Sequence, residues 1–64
     1  MKLYDTIFLK KLIDAVPISV GTRGVILMEF DSPRKAFEIE LFNESGESLG
    51  TYTVSEDQIE KREH

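Results

Sequence analysis

Close pairs of carboxylate side chains are abundant in this chain, and paired carboxylates are the groups that general acid–base catalysis uses. Glu38 and Glu40 stand two positions apart, and Glu56 is followed directly by Asp57. Residues two apart on a β-strand share one face, so Glu38 and Glu40 are predicted on the solvent side of a half-buried strand. We therefore expect a solvated acidic surface there rather than a catalytic pair.

The chain has few of the residues that nucleophilic catalysis or metal binding requires. The chain has no cysteine, and its one histidine, His64, is the last residue, so the serines have no evident general base. Oxygen ligands for calcium or magnesium are present near loops at Asp31, Glu44 and Glu47, but no loop has calcium-binding spacing. We expect no enzymatic activity, no catalytic residue, no metal site and no cofactor.

The run Gly21-Thr22-Arg23-Gly24 combines two glycines with an arginine, a combination that can present donors to an anion. It is too short for a nucleotide-binding loop. The apolar residues that follow predict a strand, whereas a helix-terminus anion site needs a helix. We interpret Gly21 and Gly24 as structural turn residues, and Gly46 as the positive-φ residue of a later hairpin loop.

Turn-forming residues recur at short, fairly even intervals along the chain, which is typical of several short strands. The pattern is clearest where Phe37, Ile39 and Leu41 alternate with Glu38 and Glu40. Alternation at period two predicts a strand with one buried face. Strands are predicted over residues 4–9, 23–30, 36–42, 48–54 and 58–60.

The long connection over residues 10–19 is predicted to be a loop, because Pro17 removes a backbone donor and pushes the preceding residue towards extended conformations. We expect this loop to tuck Leu12, Val16 or Ile18 against the core. The remaining predictions are a turn at Ser32-Pro33, a single helical turn after Ser55, and buried side chains at Leu49, Tyr52 and Val54.

These elements predict one all-β domain over residues 1–60, followed by a frayed charged tail over 61–64. The architecture expected is a small SH3-like barrel of four to five short antiparallel strands, with a long early loop and a single late helical turn. With 64 residues and no cysteine, its core must be small and has no disulfide to support it.

The net charge of the chain limits which kinds of partner it is expected to bind. Eight basic and twelve acidic residues give a formal net charge of −4, which disfavours binding to phosphate backbones. No apolar run approaches the roughly 20 residues that cross a bilayer, and the N-terminus lacks the features of a signal peptide. A cytoplasmic location and no membrane association are therefore expected.

Four segments resemble a family of small uncharacterised bacterial domains, common in cyanobacteria. They are residues 2–7, the turn at 20–26, the strand and hairpin beginning at 36–42, and the closing run 52–59. The resemblance implies an SH3-like barrel without known catalytic residues. Its genes lie in compact operons, sometimes beside candidate toxins, which implies an antitoxin or immunity role. The family usually has an acidic residue where Arg23 stands here.

Protein binding is the leading functional hypothesis. The loop has more apolar residues than a plain connector needs; they either form a contact patch or complete a small core. The predicted partner is a cognate toxin or another operon neighbour, bound by an antitoxin, immunity or accessory subunit. The candidate partner-binding residues are Leu12, Ile13, Val16, Ile18, Arg23, Glu38 and Glu40.

Two alternatives remain open. One is a small nucleic-acid-binding barrel of the ribosome- or transcription-associated type, with a basic patch and stacking aromatic residues. The other is self-association of the chain. The residues of the nucleic-acid hypothesis are Lys10, Lys11, Arg23, Arg34 and Lys35 for the patch, and Tyr4 and Tyr52 for stacking.

Overall fold

A computed structural model describes residues 1–62 of the chain, and five antiparallel strands in one curled sheet make up its fold. The order across the sheet is β4-β3-β2-β1-β5, and the sheet curls into a half-barrel. This confirms the predicted all-β, SH3-like architecture. The strands are β1 (Thr6–Leu9), β2 (Arg23–Phe30), β3 (Ala36–Phe42), β4 (Ser48–Ser55) and β5 (Ile59–Glu60), with a 3₁₀ turn at Glu56–Gln58 between β4 and β5.

The predicted strand boundaries are close to those of the structure. The bounds of β2 and β3 are those predicted, and β4 extends one residue further, to Ser55. β1 begins at Thr6 rather than Tyr4, because Tyr4 has a φ of 66° and leaves the extended conformation. Its amide still donates to the carbonyl oxygen of Ile26 at 2.7 Å. The predicted late helical turn is confirmed as the 3₁₀ turn.

Two residues of the predicted charged tail over 61–64, including His64, lie outside the residues that the structure describes. Within residues 1–62, no helix is long and apolar enough to span a membrane.

The core lies on the concave side of the sheet and follows from the alternation of apolar residues. β3 contributes Phe37, Ile39 and Leu41, which are fully buried, and every other strand adds at least one residue. The remaining buried hydrophobic residues are Ile7, Leu9, Ile26, Val54 and Ile59. No charged or polar residue in the described range is buried among them, so hydrophobic burial dominates the stability of the domain.

One prediction of burial in β4 is wrong. Leu49 is an odd number of residues from Tyr52 and Val54, so it is out of phase with the buried face of the strand. It is also the extra residue of a β-bulge, because Leu41 pairs with Gly50 and Phe42 pairs with Ser48. Leu49 is 36% exposed rather than buried. Val54 is buried as predicted, whereas Tyr52 is half-buried and donates its hydroxyl to the Leu49 carbonyl oxygen at 2.7 Å.

The long loop does pack against the core, but partly through different residues from those predicted. Ile13 and Ile18 pack against the core cluster, Val16 is half-buried, and Leu12 is 65% exposed. The start of the loop is held to the 3₁₀ turn, because the amides of Lys10 and Lys11 donate to the Gln58 carbonyl oxygen. This attachment fixes where the loop leaves β1.

The two glycines around Arg23 have different structural roles. Gly21, with a φ of 94°, lies in the turn before β2, as predicted. Gly24 was predicted to be a turn residue, and that is corrected: it is the second residue of β2 and is buried. There a Cβ would meet the carbonyl oxygen of Glu40 at 2.7 Å, so close packing requires the glycine. Gly46 has a φ of 85° in the hairpin loop, as predicted.

Candidate functional site

The pairing of three adjacent strands places two aromatic residues on either side of an arginine. Arg23 of β2 is opposite Phe8 of β1 and opposite Phe42 of β3. Directly opposed residues share one face of a sheet, and these three lie on the convex face, away from the buried core. We call them the Phe8–Arg23–Phe42 row. Arg23 is exposed, whereas both phenylalanines are half-buried.

Guanidinium groups lie over both rings of this row. The Arg23 Cζ atom is 5.2 Å from the centre of the Phe42 ring, and the Arg62 Cζ atom is 4.2 Å from the centre of the Phe8 ring. Both distances are within the range of cation–π attraction. Arg62 also pairs with Glu60, with Nε 3.4 Å from Oε2. The row is therefore a strip of alternating aromatic and cationic groups.

A hollow of about 310 Å³ opens at one end of this row. Two turns meet there, the one that leads into β2 and the one that leaves β3. Its lining residues are Gly21, Thr22, Arg23, Phe42, Asn43 and Glu44. Arg23 and Glu44 give the hollow both charges, and Phe42 gives it an apolar wall.

The predicted acidic pair lies on the same convex face, further along the strands. Glu40 is opposite Val25 of β2, and Glu38 is opposite Met28. Both glutamates are half-buried rather than fully solvated, because apolar neighbours across the strand pair flank them. Glu40 is also tied down, since its Oε2 accepts a hydrogen bond from the Ser48 hydroxyl at 2.7 Å.

The far end of this face presents large apolar side chains to solvent. Met28 is 49% exposed and Phe30 is 37% exposed, and Phe30 lies opposite Ala36. An ordinary solvent-facing strand has polar residues in such places. The name convex face refers below to eight residues of β1, β2 and β3 on this surface: Phe8, Arg23, Val25, Met28, Phe30, Glu38, Glu40 and Phe42.

The structure brings together three of the seven predicted partner-binding residues. Arg23, Glu38 and Glu40 share the convex face. The other four, Leu12, Ile13, Val16 and Ile18, belong to the long loop. That loop encloses its own open hollow of about 620 Å³, lined by residues 12–17 alone. Because Ile13 and Ile18 pack against the core cluster, Leu12 is the loop's most exposed apolar residue among these four.

The basic patch of the nucleic-acid hypothesis is partly neutralised. Lys11 Nζ lies 3.1 Å from an Asp57 carboxylate oxygen, and Lys35 Nζ lies 3.3 Å from a Glu56 carboxylate oxygen. The long loop and the Ser32-Pro33 turn therefore both reach the 3₁₀ turn, where its adjacent acids take up their charge. The Ser55 hydroxyl, and next to it Lys11, hold the pKa of Asp57 below its usual value.

Sequence reasoning missed the apolar members of the convex face. The signal was available, since residues two apart on a strand share a face. Val25 is in phase with Arg23, and Phe42 is in phase with Glu38 and Glu40. Met28 was obscured because the register shifts between Ile26 and Met28. Phe8 joins the surface only through long-range pairing of β1 with β2.

The comparisons with known proteins leave the activity open and identify the family. Among residues 1–62, no group of three or more histidine, cysteine or acidic side chains is arranged to hold a metal ion. Neither a curated protein nor a solved structure matches the chain. The model of a family described as a domain of unknown function, DUF4926, matches residues 3–61, so the chain is a member of that family, as the resemblance implied.

Proposed function

We propose that this domain is a non-catalytic protein-binding module whose contact surface is the convex face. The observation that carries the proposal is the Phe8–Arg23–Phe42 row, with a guanidinium 5.2 Å from one ring centre and another 4.2 Å from the other. In its narrower form the proposal makes the partner an operon neighbour, and the domain its antitoxin, immunity or accessory subunit.

The composition of the convex face supports this proposal. Aromatic residues, methionine and arginine are the types enriched in the centres of protein interfaces, and arginine is frequent among the residues that dominate binding energy. Here two phenylalanines flank Arg23, and Met28 and Phe30 stand exposed further along. Lysine, which is depleted in interfaces, is absent from the convex face.

The order of charges along the convex face indicates which groups a complementary partner surface should present. Arg23 is at the end of β2 that meets Phe8 and Phe42, whereas Glu40 and Glu38 follow at the next positions outward along β3. A matching surface presents a carboxylate to Arg23, basic groups to the two glutamates, and apolar side chains to Met28 and Phe30. Such complementarity sets orientation and association rate.

The same order of charges weakens the nucleic-acid alternative. A phosphate backbone drawn to Arg23 meets Glu40 and Glu38 on the same face, and their charge repels it. Lys11 and Lys35 are already paired with Asp57 and Glu56. Salt-sensitive retention of the domain on single-stranded RNA or DNA would favour the alternative over protein binding.

The proposal is tested by co-expressing the domain with the products of its neighbouring genes and measuring affinity for any that co-purifies. Arg23→Ala and Phe42→Ala are each expected to weaken binding by at least about tenfold, the 1.4 kcal/mol scale of a residue at the centre of an interface. Glu38→Lys reverses a charge in the middle of the face, and we expect it to slow association.

Leu12→Ala provides the matched control, because Leu12 is an exposed apolar residue of the long loop. It should leave the affinity unchanged if the convex face is the contact surface. Loss of binding in Leu12→Ala with full binding in Arg23→Ala would place the contact on the loop and contradict the proposal.

A further inference from the structure

The two outer edges of the sheet are built differently. β5, at one edge, has only two residues, Ile59 and Glu60, and Lys61 and Arg62 follow it directly. A short edge strand with charged residues is the ordinary protection against pairing with another chain. β4, at the other edge, has eight residues, and in the described part of the chain it pairs only with β3.

The β4 edge lacks the usual protection over most of its length. Its sequence, Ser-Leu-Gly-Thr-Tyr-Thr-Val-Ser, contains no charged residue and no proline, in a chain that is 31% charged. The bulge at Leu49 disturbs only its first part. From Thr51 to Ser55 the pairing with β3 runs without a register shift. Along this segment the outward backbone groups have no strand partner among the described residues, although the Ser55 amide is engaged, since it donates to Gln58 Oε1 at 2.9 Å.

We propose that Thr51–Ser55 of β4 pairs antiparallel with the same segment of a second copy of this chain, which joins two half-barrels into one continuous sheet. The proposal concerns the edge of the sheet and does not depend on the convex face. A twofold axis at Thr53 lets the two copies exchange backbone hydrogen bonds in one isologous contact, the arrangement typical of homodimers, in which the Ser55 amide keeps its bond to Gln58.

The segment is complementary to itself in this register. Thr53 lies opposite Thr53 of the second copy, and Thr51 lies opposite Ser55, so hydroxyl-bearing residues meet on one face. On the other face Tyr52 lies opposite Val54, an aromatic residue beside a β-branched one. Both kinds of cross-strand pair are favourable. No charged pair arises anywhere in the contact.

The acidic residues of β3 do not oppose this pairing strongly. Glu38 and Glu40 lie one strand away from β4, so in the dimer the two β3 strands are three strand spacings apart. At about 4.8 Å per spacing the separation is roughly 14 Å, which exceeds the Debye length of about 8 Å at physiological ionic strength. Charge repulsion between the Glu38 and Glu40 side chains of the two copies is therefore mostly screened.

Sedimentation equilibrium over a range of concentrations tests the proposal. The wild type is expected to approach twice the 7.3 kDa mass of one chain at high concentration. Thr53→Lys places two like charges directly opposite each other, so it should return the protein to the single-chain mass. Thr53→Glu should do the same. An equal mixture of the two variants should recover the dimer, because lysine then faces glutamate.

Thr6→Lys is the matched control, since Thr6 is an exposed threonine on β1, inside the sheet rather than at its edge. It should keep the wild-type mass. Hydrogen exchange of the β4 amides, measured at low and high concentration, gives an independent measurement on the wild type, and slower exchange is expected at high concentration.

A wild type that stays at the single-chain mass up to millimolar concentration overturns the proposal. So does a dimer that survives in Thr53→Lys and Thr53→Glu, since it must then use another surface. Exchange of the β4 amides that does not change with concentration also counts against it.

Discussion

The backbone of Gly24 passes so close to Glu40 on the neighbouring strand that a Cβ atom would lie 2.7 Å from the Glu40 carbonyl oxygen. The Leu41 and Ile7 side chains would meet the same Cβ at 2.8 and 3.1 Å. Gly24 thus allows β1, β2 and β3 to pack tightly beneath the Phe8–Arg23–Phe42 row. The requirement is for space, because Gly24 has no positive φ.

Gly24→Ala is therefore expected to lower the free energy of unfolding by about 1–3 kcal/mol through overpacking, as measured by urea denaturation. Gly21 provides the contrast, because a Cβ there meets nothing within 4 Å and only its φ of 94° is unfavourable. Asparagine tolerates such backbone better than alanine. Gly21→Asn should thus be milder than Gly21→Ala, whereas Gly24→Asn should be worse than Gly24→Ala. Equal effects at both positions would contradict the distinction.

The acid stability of the domain should depend on Asp5. The backbone amide of Lys2 donates to Asp5 Oδ2 at 2.8 Å, and Lys61 Nζ lies 3.5 Å away; together they hold the Asp5 pKa below its ordinary value of 3.8. The charged carboxylate is thus favoured in the folded state. Its stabilising contribution is complete above pH 3.8 and is lost as the pH falls through the lower pKa of the folded protein.

Asp5→Asn should accordingly destabilise the domain at neutral pH and flatten the fall in stability below pH 4, followed by urea unfolding across a pH series. Asp31→Asn is the control, since Asp31 is an exposed aspartate in the loop between β2 and β3. It removes the same charge without these partners. An identical pH profile for Asp5→Asn and the wild type would contradict the assignment.

Ser55 should control the titration of Asp57. The Ser55 hydroxyl donates to the Asp57 carboxylate, and this bond is the main cause of the lowered Asp57 pKa, followed by Lys11. Ser55→Ala should raise the pKa of Asp57 towards its ordinary value, and Lys11→Met, which removes a hydrogen bond and a charge, should raise it as well. Carboxyl chemical shifts in an NMR titration follow both. An Asp57 pKa that does not rise in Ser55→Ala would contradict the assignment.

Arg23→Ala should affect stability little, because Arg23 is exposed, whereas Phe42→Ala also removes a half-buried ring. An exposed cation–π pair contributes about 0.5–1 kcal/mol. A double-mutant cycle with Arg23→Ala and Phe42→Ala should give a coupling energy of this size in urea unfolding. A coupling of zero would mean that the guanidinium and the ring do not interact in solution.

The parts of the fold that could be predicted from sequence are those set by local pattern. The alternation of Phe37, Ile39 and Leu41 with polar residues fixes β3, and Gly46 marks the hairpin loop. The parts that could not be predicted depend on pairing between distant segments. The bulge at Leu49, for example, is set by the register of β4 against β3, which the local pattern does not specify.

The convex face likewise has a part that could be predicted from the sequence and a part that could not. Glu38 and Glu40 share a strand, so their common face follows from spacing alone. The approach of Phe8 and Phe42 to Arg23 requires the register of two strand pairs. Spacing within one sequence does not specify that register, because the pairing is decided by the packing of the core.

Leu12 and Ile13 provide the sharpest test of how the long loop packs. They are neighbours of equal size, and the sequence predicts Leu12, Val16 or Ile18 against the core. In the structure Leu12 is 65% exposed, and Ile13 packs against the core cluster instead. Ile13→Ala should therefore lower the free energy of unfolding by on the order of 2 kcal/mol. This is the lower end of the range for truncating a buried isoleucine to alanine, because Ile13 is only half-buried. Leu12→Ala should stay within about 0.5 kcal/mol of the wild type, as surface substitutions do. Urea unfolding of the two variants measures both free energies. A larger loss of stability in Leu12→Ala than in Ile13→Ala would mean that Leu12, and not Ile13, packs against the core.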